Sequence, residues 1–273
     1  MRAGDLLWGR VHRIDEVRAA QVPSVRSPGG APVVLLHGQP GDRSDWDAVI
    51  ACLPGSIDAM ALDRPGYGEN PCPATTVEEN ARWLVERLER EQIADAVLVG
   101  HSYGGGVALA AAAMAPERVR GLVLLASVGP GCLTPWDTML AAPVAGPMIS
   151  VTAWSLLPWL ARRYPDHNAN PSWQALAEIH HAHGAVWRSF LFEQRELRHG
   201  FERWIAALQE STVPTLVVAD STDKVVPVAT ARALHEQLPC SRLELVHGGG
   251  HQLPRRIPQV IATAIADFVE SLD

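Results

Sequence analysis

The chain has 273 residues, 47% of them hydrophobic and 19% charged, a length and composition that suit one large buried core carrying an insertion. A formal net charge of −7 and an isoelectric point near 5.9 argue against a nucleic-acid partner, whose binding rests on clustered positive charge, and point to a small-molecule substrate. Cys52, Cys72, Cys132 and Cys240 are widely spaced with no CxxC pair, so neither a zinc site nor a disulfide framework is suggested, and free thiols in a reducing compartment are the simplest reading.

In chain order, residues 1–10 carry charges throughout and no apolar stretch of signal-peptide length, so the expected location is the cytoplasm. Segments 9–17 and 20–25 are read as an antiparallel hairpin at a sheet edge. Apolar, strand-like runs follow at 33–36, 57–62, 96–99, 119–125, 215–219 and 243–246. Helical stretches at 76–91, 107–115, 226–238 and 259–271 alternate with them. Near-continuous apolar strands separated by helices predict a mostly parallel central sheet covered by helices on both faces, an α/β fold. Between 131 and 204 the pattern changes to proline-interrupted, tryptophan-rich helical sequence. The expected organisation is therefore a core of 1–130 and 205–273 with a helical cap at 131–204. The sequence has no internal repeat, and it leaves the oligomeric state unread.

The most informative residues are Gly100-His101-Ser102-Tyr103-Gly104-Gly105, a serine among glycines between a strand-like run and an alanine-rich helix. That spacing suits a sharp strand-to-helix turn that exposes the serine hydroxyl, and small flanking residues let strand and helix pack closely around it. The stretch resembles the nucleophile elbow of the α/β-hydrolase family. Three further motifs stand in that family's order. Val33-Val34-Leu35-Leu36-His37-Gly38-Gln39-Pro40-Gly41 is similar to its oxyanion loop. Asp223, in the loop after strand 215–219, sits where the family places its acid, 121 residues beyond Ser102. His251, a further 28 residues on, sits where it places its base. Asp63-Arg64-Pro65-Gly66-Tyr67-Gly68 also resembles a family loop and is read as scaffold.

Each assignment has a competitor. Asp220 shares the acid's loop and is read as a loop-capping residue at the strand end. The family's other location for the acid, after the strand ending at Ala126, offers Ser127, Val128 and Gly129 and no carboxylate. His101 lies inside the elbow and His247 ends a strand, so both are read as structural. The resemblance implies acyl transfer: His251, oriented by Asp223, takes the proton of Ser102 as its oxygen attacks a carbonyl, and two backbone N–H groups stabilise the oxyanion. Pro40 has no N–H, which leaves Gln39, with Tyr103 as the second donor. No metal or organic cofactor is required, and activity should fall on acidification as the base takes up a proton.

The substrate is less legible. Serine rather than aspartate argues against epoxide or haloalkane hydrolysis, and a largely apolar carboxylic ester of small to medium size is the leading expectation. Carbon–carbon bond hydrolysis of a dienoate or β-diketone is the alternative, with Arg162, Arg163 and Arg188 as candidate carboxylate partners or simply solvated side chains. A cofactor-free perhydrolase or haloperoxidase activity and a non-catalytic ligand receptor complete the set. Six of the nine tryptophans fall between Trp136 and Trp204, expected either to line the pocket or to fill the cap's own core. The 24 residues from 138 to 161 carry no charge, but Pro143, Pro147 and Pro158 are expected to break helix there. This favours a cap hairpin at an apolar entrance over a stable membrane span, with shallow membrane contact as the lesser alternative. His180, His181 and His183 invite a metal, yet without matched partners a solvated face or a cap contact is the better reading.

Overall fold

The computed structural model describes residues 24–26, 31–163, 186–197 and 201–272. Seven strands form one sheet: β1 (Ser24–Arg26), β2 (Ala31–Leu36), β3 (Ile57–Leu62), β4 (Ala96–His101), β5 (Val119–Leu125), β6 (Thr215–Asp220) and β7 (Ser241–Val246), in the order β1-β3-β2-β4-β5-β6-β7. Strands β2 to β7 pair in parallel, and β1 pairs antiparallel with β3 at the edge, Val25 opposite Ala61. The fold is the expected mostly parallel α/β sheet. Of the expected edge hairpin, only the end of its second segment lies within the described residues.

Alternation along each strand splits the core in two. Val34, Leu36, Leu98 and Leu124 face one side, where they pack with Leu84 and Leu88 of α2 (Val77–Arg90) and Val107 and Leu109 of α3 (Tyr103–Met114). Val33, Leu35, Val97 and Val123 face the other, against Val49 of α1 (Asp47–Ile50) and residues that include Ile261, Ile265 and Phe268 near the C-terminus. Every residue of β3, β4 and β6 is buried, which is why these runs read as apolar at nearly every position and not as alternating. Helix α2 begins where its local chemistry says it should. The Thr76 hydroxyl accepts from the Glu79 N–H, and the Glu79 carboxylate accepts from the Thr76 N–H, a reciprocal capping box.

Between β5 and β6 lie α4 (Pro135–Ala141), α5 (Ala145–Arg163), α6 (Val186–Glu196) and α7 (Phe201–Gln209). Two of the three prolines act differently from expectation. Only Pro143 falls at a break, between α4 and α5, after Ala142 in extended conformation. Helix α5 runs unbroken through Pro147 and Pro158. Pro147 lies in its first turn, where the missing N–H has no intrahelical acceptor, and Pro158 costs one hydrogen bond that the rest of a 19-residue helix outweighs. No described helix is long and apolar enough to cross a membrane. The remaining helices are α8 (Val228–Gln237), α9 (Leu253–Arg256) and α10 (Pro258–Glu270).

Candidate active site

Ser102 occupies the single residue between the end of β4 and the start of α3, with φ 53° and ψ −118°. This is a positive-φ conformation that a serine adopts at a cost on the order of 1–3 kcal/mol. Three hydrogen bonds hold it there. Its N–H donates to Leu125 O at 2.9 Å, and its carbonyl accepts from Gly105 N–H at 3.0 Å and Val128 N–H at 3.2 Å. Close approach explains the glycine at 104: a Cβ there would stand 2.4 Å from Leu36 O, so any larger residue would push α3 off β2.

The structure brings Ser102, Asp223 and His251 together. His251 Nδ1 lies 2.8 Å from Asp223 Oδ2, and its Nε2 lies 3.0 Å from Ser102 Oγ. Because a carboxylate only accepts, Nδ1 carries the proton and Nε2 presents its lone pair to the serine hydroxyl. The other oxygen of Asp223 accepts from Val225 N–H at 2.7 Å and Val226 N–H at 3.0 Å, so the carboxylate is gripped on both sides.

Asp220 caps its loop, as its position at the strand end suggests, and also does more. Its Oδ1 accepts from the N–H and the hydroxyl of Thr222, both at 2.7 Å. Its Oδ2 accepts from Gly249 and Gly250 N–H, both at 2.9 Å. It therefore ties the loop of Asp223 to the loop of His251. Burial would raise its pKa, but the hydrogen bonds from Thr222, Gly250 and Gly249 outweigh that and hold it at about 2. Gly250, at φ 55°, takes the turn that delivers His251.

His101 supports the base from the opposite side. Its Nε2 lies 2.7 Å from the His251 carbonyl, which can only accept, so Nε2 carries the proton. Burial, with coulombic repulsion between the two imidazoles, lowers the His101 pKa to about 3, and the ring is neutral. His247 takes no part in the hydrogen bonds that join Ser102, His251 and Asp223.

The loop after β2 is fixed by backbone carbonyls. Arg64 Nε donates to His37 O and Arg64 Nη2 to Gly38 O, both at 2.9 Å. His37 Nε2 accepts from Arg64 N–H at 3.0 Å, so its Nδ1 carries the proton and donates to Gly38 O at 2.8 Å. Burial and the adjacent Arg64 charge push His37 well below the usual histidine range. The guanidinium pairs with Glu193 of α6, Nη1 to Oε1 at 2.6 Å, with both side chains fully buried, and Tyr67 donates its hydroxyl to Glu193 Oε2 at 2.7 Å. Sequence reasoning passes over Glu193 entirely and leaves Arg64 as scaffold. The available signal is the arginine inside Asp63-Arg64-Pro65-Gly66, a charge in a loop bound for the interior.

Ser102 borders a cavity of about 370 Å³, whose walls include Val128, Leu140, Phe190 and Val226 with Gln39 and Gln194. Among the described side chains, which do not include that of Trp136, the one aromatic ring on its walls belongs to Phe190. Trp154 is instead buried, Trp159 is 59% exposed, and Trp187 and Trp204 lie under Arg188 and Arg203. Arg163 and Arg188 are exposed and outside the cavity walls. His180, His181, His183 and Trp173 lie outside the described residues. Among the described residues no group of three or more His, Cys, Asp or Glu side chains is placed to hold a metal.

A model of the alpha/beta hydrolase family matches residues 33–264. The chain is 27% identical over 265 residues to the uncharacterized hydrolase YugF of Bacillus subtilis, covering 90% of this chain and 92% of that protein. It is 28% identical over 277 residues to a 2-hydroxymuconate semialdehyde hydrolase of Pseudomonas sp. strain CF600, covering 90% and 89%. In structure it is similar to a thermophilic esterase from Thermogutta terrifontis, with a TM-score of 0.73, 22% identity and coverage of 92% of this chain and 93% of that one.

Proposed function

The chain belongs to the alpha/beta hydrolase family, and on that premise we propose that it is a serine hydrolase acting on a small to medium, largely apolar carboxylic ester. The observation that carries this reading is the unbroken line from Asp223 through His251 to Ser102, with the serine bordering a mostly apolar cavity. In the first step His251 Nε2 takes the Ser102 proton while Oγ bonds to the substrate carbonyl carbon. The carbonyl oxygen becomes an oxyanion held by the N–H groups of Gln39 and Tyr103. Collapse of this intermediate expels the alcohol, which leaves with the proton from His251. Water, deprotonated by the same imidazole, then attacks the acyl-enzyme, releases the acid and returns the proton to Ser102.

In this reading residues 131–204 are the cap, and they supply Leu140, Phe190 and Gln194 to the substrate cavity. The four free thiols suit work in the cytoplasm. Likeness to a 2-hydroxymuconate semialdehyde hydrolase keeps carbon–carbon bond hydrolysis as a second reading. The ester reading draws on the largely apolar walls of the cavity; of the charged side chains on them, Asp137 would oppose a substrate carboxylate and Lys224 would attract one. Initial rates on p-nitrophenyl esters from acetate to decanoate, at pH 7.5 without added metal, test the choice. The expected result is turnover that peaks below decanoate and vanishes in Ser102→Ala. A folded wild type with no ester turnover at any chain length would transfer the site to the second reading.

A further inference from the structure

Helix α6 acts on the loop that carries Gln39 through two consecutive side chains, Gln194 directly and Glu193 by way of Arg64. Gln194 Oε1 accepts from Gln39 Nε2 at 2.6 Å, and Gln194 Nε2 donates to Asp137 Oδ1 at 2.5 Å. Glu193 takes Arg64, and Arg64 in turn grips the carbonyls of His37 and Gly38. The second contact has a directional consequence. In a trans peptide the C=O and the following N–H point in opposite directions, and the Gly38–Gln39 bond is not among the cis bonds of this chain. Pinning Gly38 O onto Arg64 and His37 therefore fixes where the Gln39 N–H points.

We propose that Glu193 is a positioning residue for the oxyanion hole: through Arg64 it aims the Gln39 N–H, so that seating α6 on the core and assembling the first oxyanion donor are one event. This inference rests on the serine hydrolase reading. Arg64 and Glu193 are both fully inaccessible to solvent, so the guanidinium has no water to replace a lost partner. Arg64 Nη1 reaches Asn80 Oδ1 at 3.5 Å, a neutral and distant substitute. Without Glu193 the guanidinium is expected to turn toward other acceptors and release Gly38 O. The Gln39 peptide is then held through His37 alone and loses one of the two contacts that fix its direction.

The test uses the full chain and the rate of Ser102 phosphonylation by a fluorophosphonate, alongside kcat and KM on the best p-nitrophenyl ester. Both reactions place a developing oxygen charge in the same hole, and the first needs no knowledge of the natural substrate. For Glu193→Gln, which keeps size but not charge, the expected result is at least about a tenfold loss in kcat and in phosphonylation rate, with KM within about twofold. A second variant covers failure to fold. Arg64→Met/Glu193→Leu removes both buried charges and should recover thermal stability while remaining slow, because Gly38 O then keeps only the neutral His37 Nδ1–H and loses the guanidinium. Wild-type rates in either folded variant would overturn the inference. A wild type that the probe does not label would instead count against the serine hydrolase reading itself.

Discussion

The end of the sheet and the helical segment above it hold their functional groups by different means. At the sheet end, Ser102, Asp223 and His251 sit on loops whose backbones are tied to one another. Leu125 O holds the serine, Asp220 spans two loops, and His101 grips the His251 carbonyl. Beneath them strands β3, β4 and β6 are buried along their whole length. Helices α4 to α6 present a different picture. Val144, Met148, Val151 and Trp159 stand exposed, and α6 reaches the core through the polar contacts of Glu193 and Gln194. The first region is built to keep geometry fixed, and the second meets it through a few directional contacts. Damage to the first should remove chemistry outright, whereas damage to the second should depend on which contact is touched.

The largest effect is expected inside the triad. Asp223→Asn can keep its contacts with Val225 and Val226 but presents the wrong partner to His251 Nδ1, so kcat should fall on the order of 10⁴-fold with little change in fold. Steady-state rates and a circular dichroism melt check both halves. Next comes Asp220→Ala, which frees the N–H groups of Gly249 and Gly250 and loosens the loop of His251. A loss of about 2 kcal/mol or more in denaturant stability is expected, with a kcat reduced roughly tenfold to a hundredfold. Its carboxyl, at about 2 in the folded chain against an ordinary 3.8, contributes stability above pH 3.8 that disappears as pH falls toward 2.

A smaller effect separates the neutral histidines from the carboxylates. His101 is held at about 3 when folded but returns to 6.5 when unfolded, so the unfolded chain binds the extra proton between those values. Stability should therefore drop as pH falls from about 6.5 toward 3, and buried His37 should act in the same direction. Melting temperatures between pH 7 and pH 4 should show a shallower slope for His101→Gln, whose amide N–H can still reach the His251 carbonyl. The smallest effect belongs to the exposed face of α5. Met148→Glu, at a side chain 67% exposed, should change stability by no more than about 0.5 kcal/mol and ester turnover by less than about twofold. A large loss there would mean that this face is buried against something in solution.

The same division separates what is legible in the amino-acid sequence from what is not. Strands such as 57–62 and 119–125 are legible to the residue, because a strand buried on both faces must be apolar at nearly every position. Helix α2 is legible because its capping box is local. The candidate triad stands out because each member follows a strand in a recognisable order. Glu193 is not legible. One glutamate on an amphipathic helix looks solvated, and its burial depends on Arg64, 129 residues earlier. The tryptophans are legible only as two alternatives, because composition counts rings but does not say which face of a helix carries them: Trp154 is buried, Trp159 is exposed, and Phe190 stands on the cavity wall. The prolines of α5 mislead because the cost of proline depends on its place in a helix: Pro147 lies in the first turn, where no intrahelical bond is lost, and the helix continues past Pro158 despite the bond missing there.

The most direct test of the central claim, that Ser102 is a nucleophile activated by His251 and Asp223, is intact-mass analysis after exposure to a fluorophosphonate, with peptide mapping of the adduct. One adduct per chain, on Ser102, absent from Ser102→Ala and formed far more slowly in His251→Ala, is the expected result. A folded wild type that stays unlabelled, or that carries its adduct on another residue, would contradict the account.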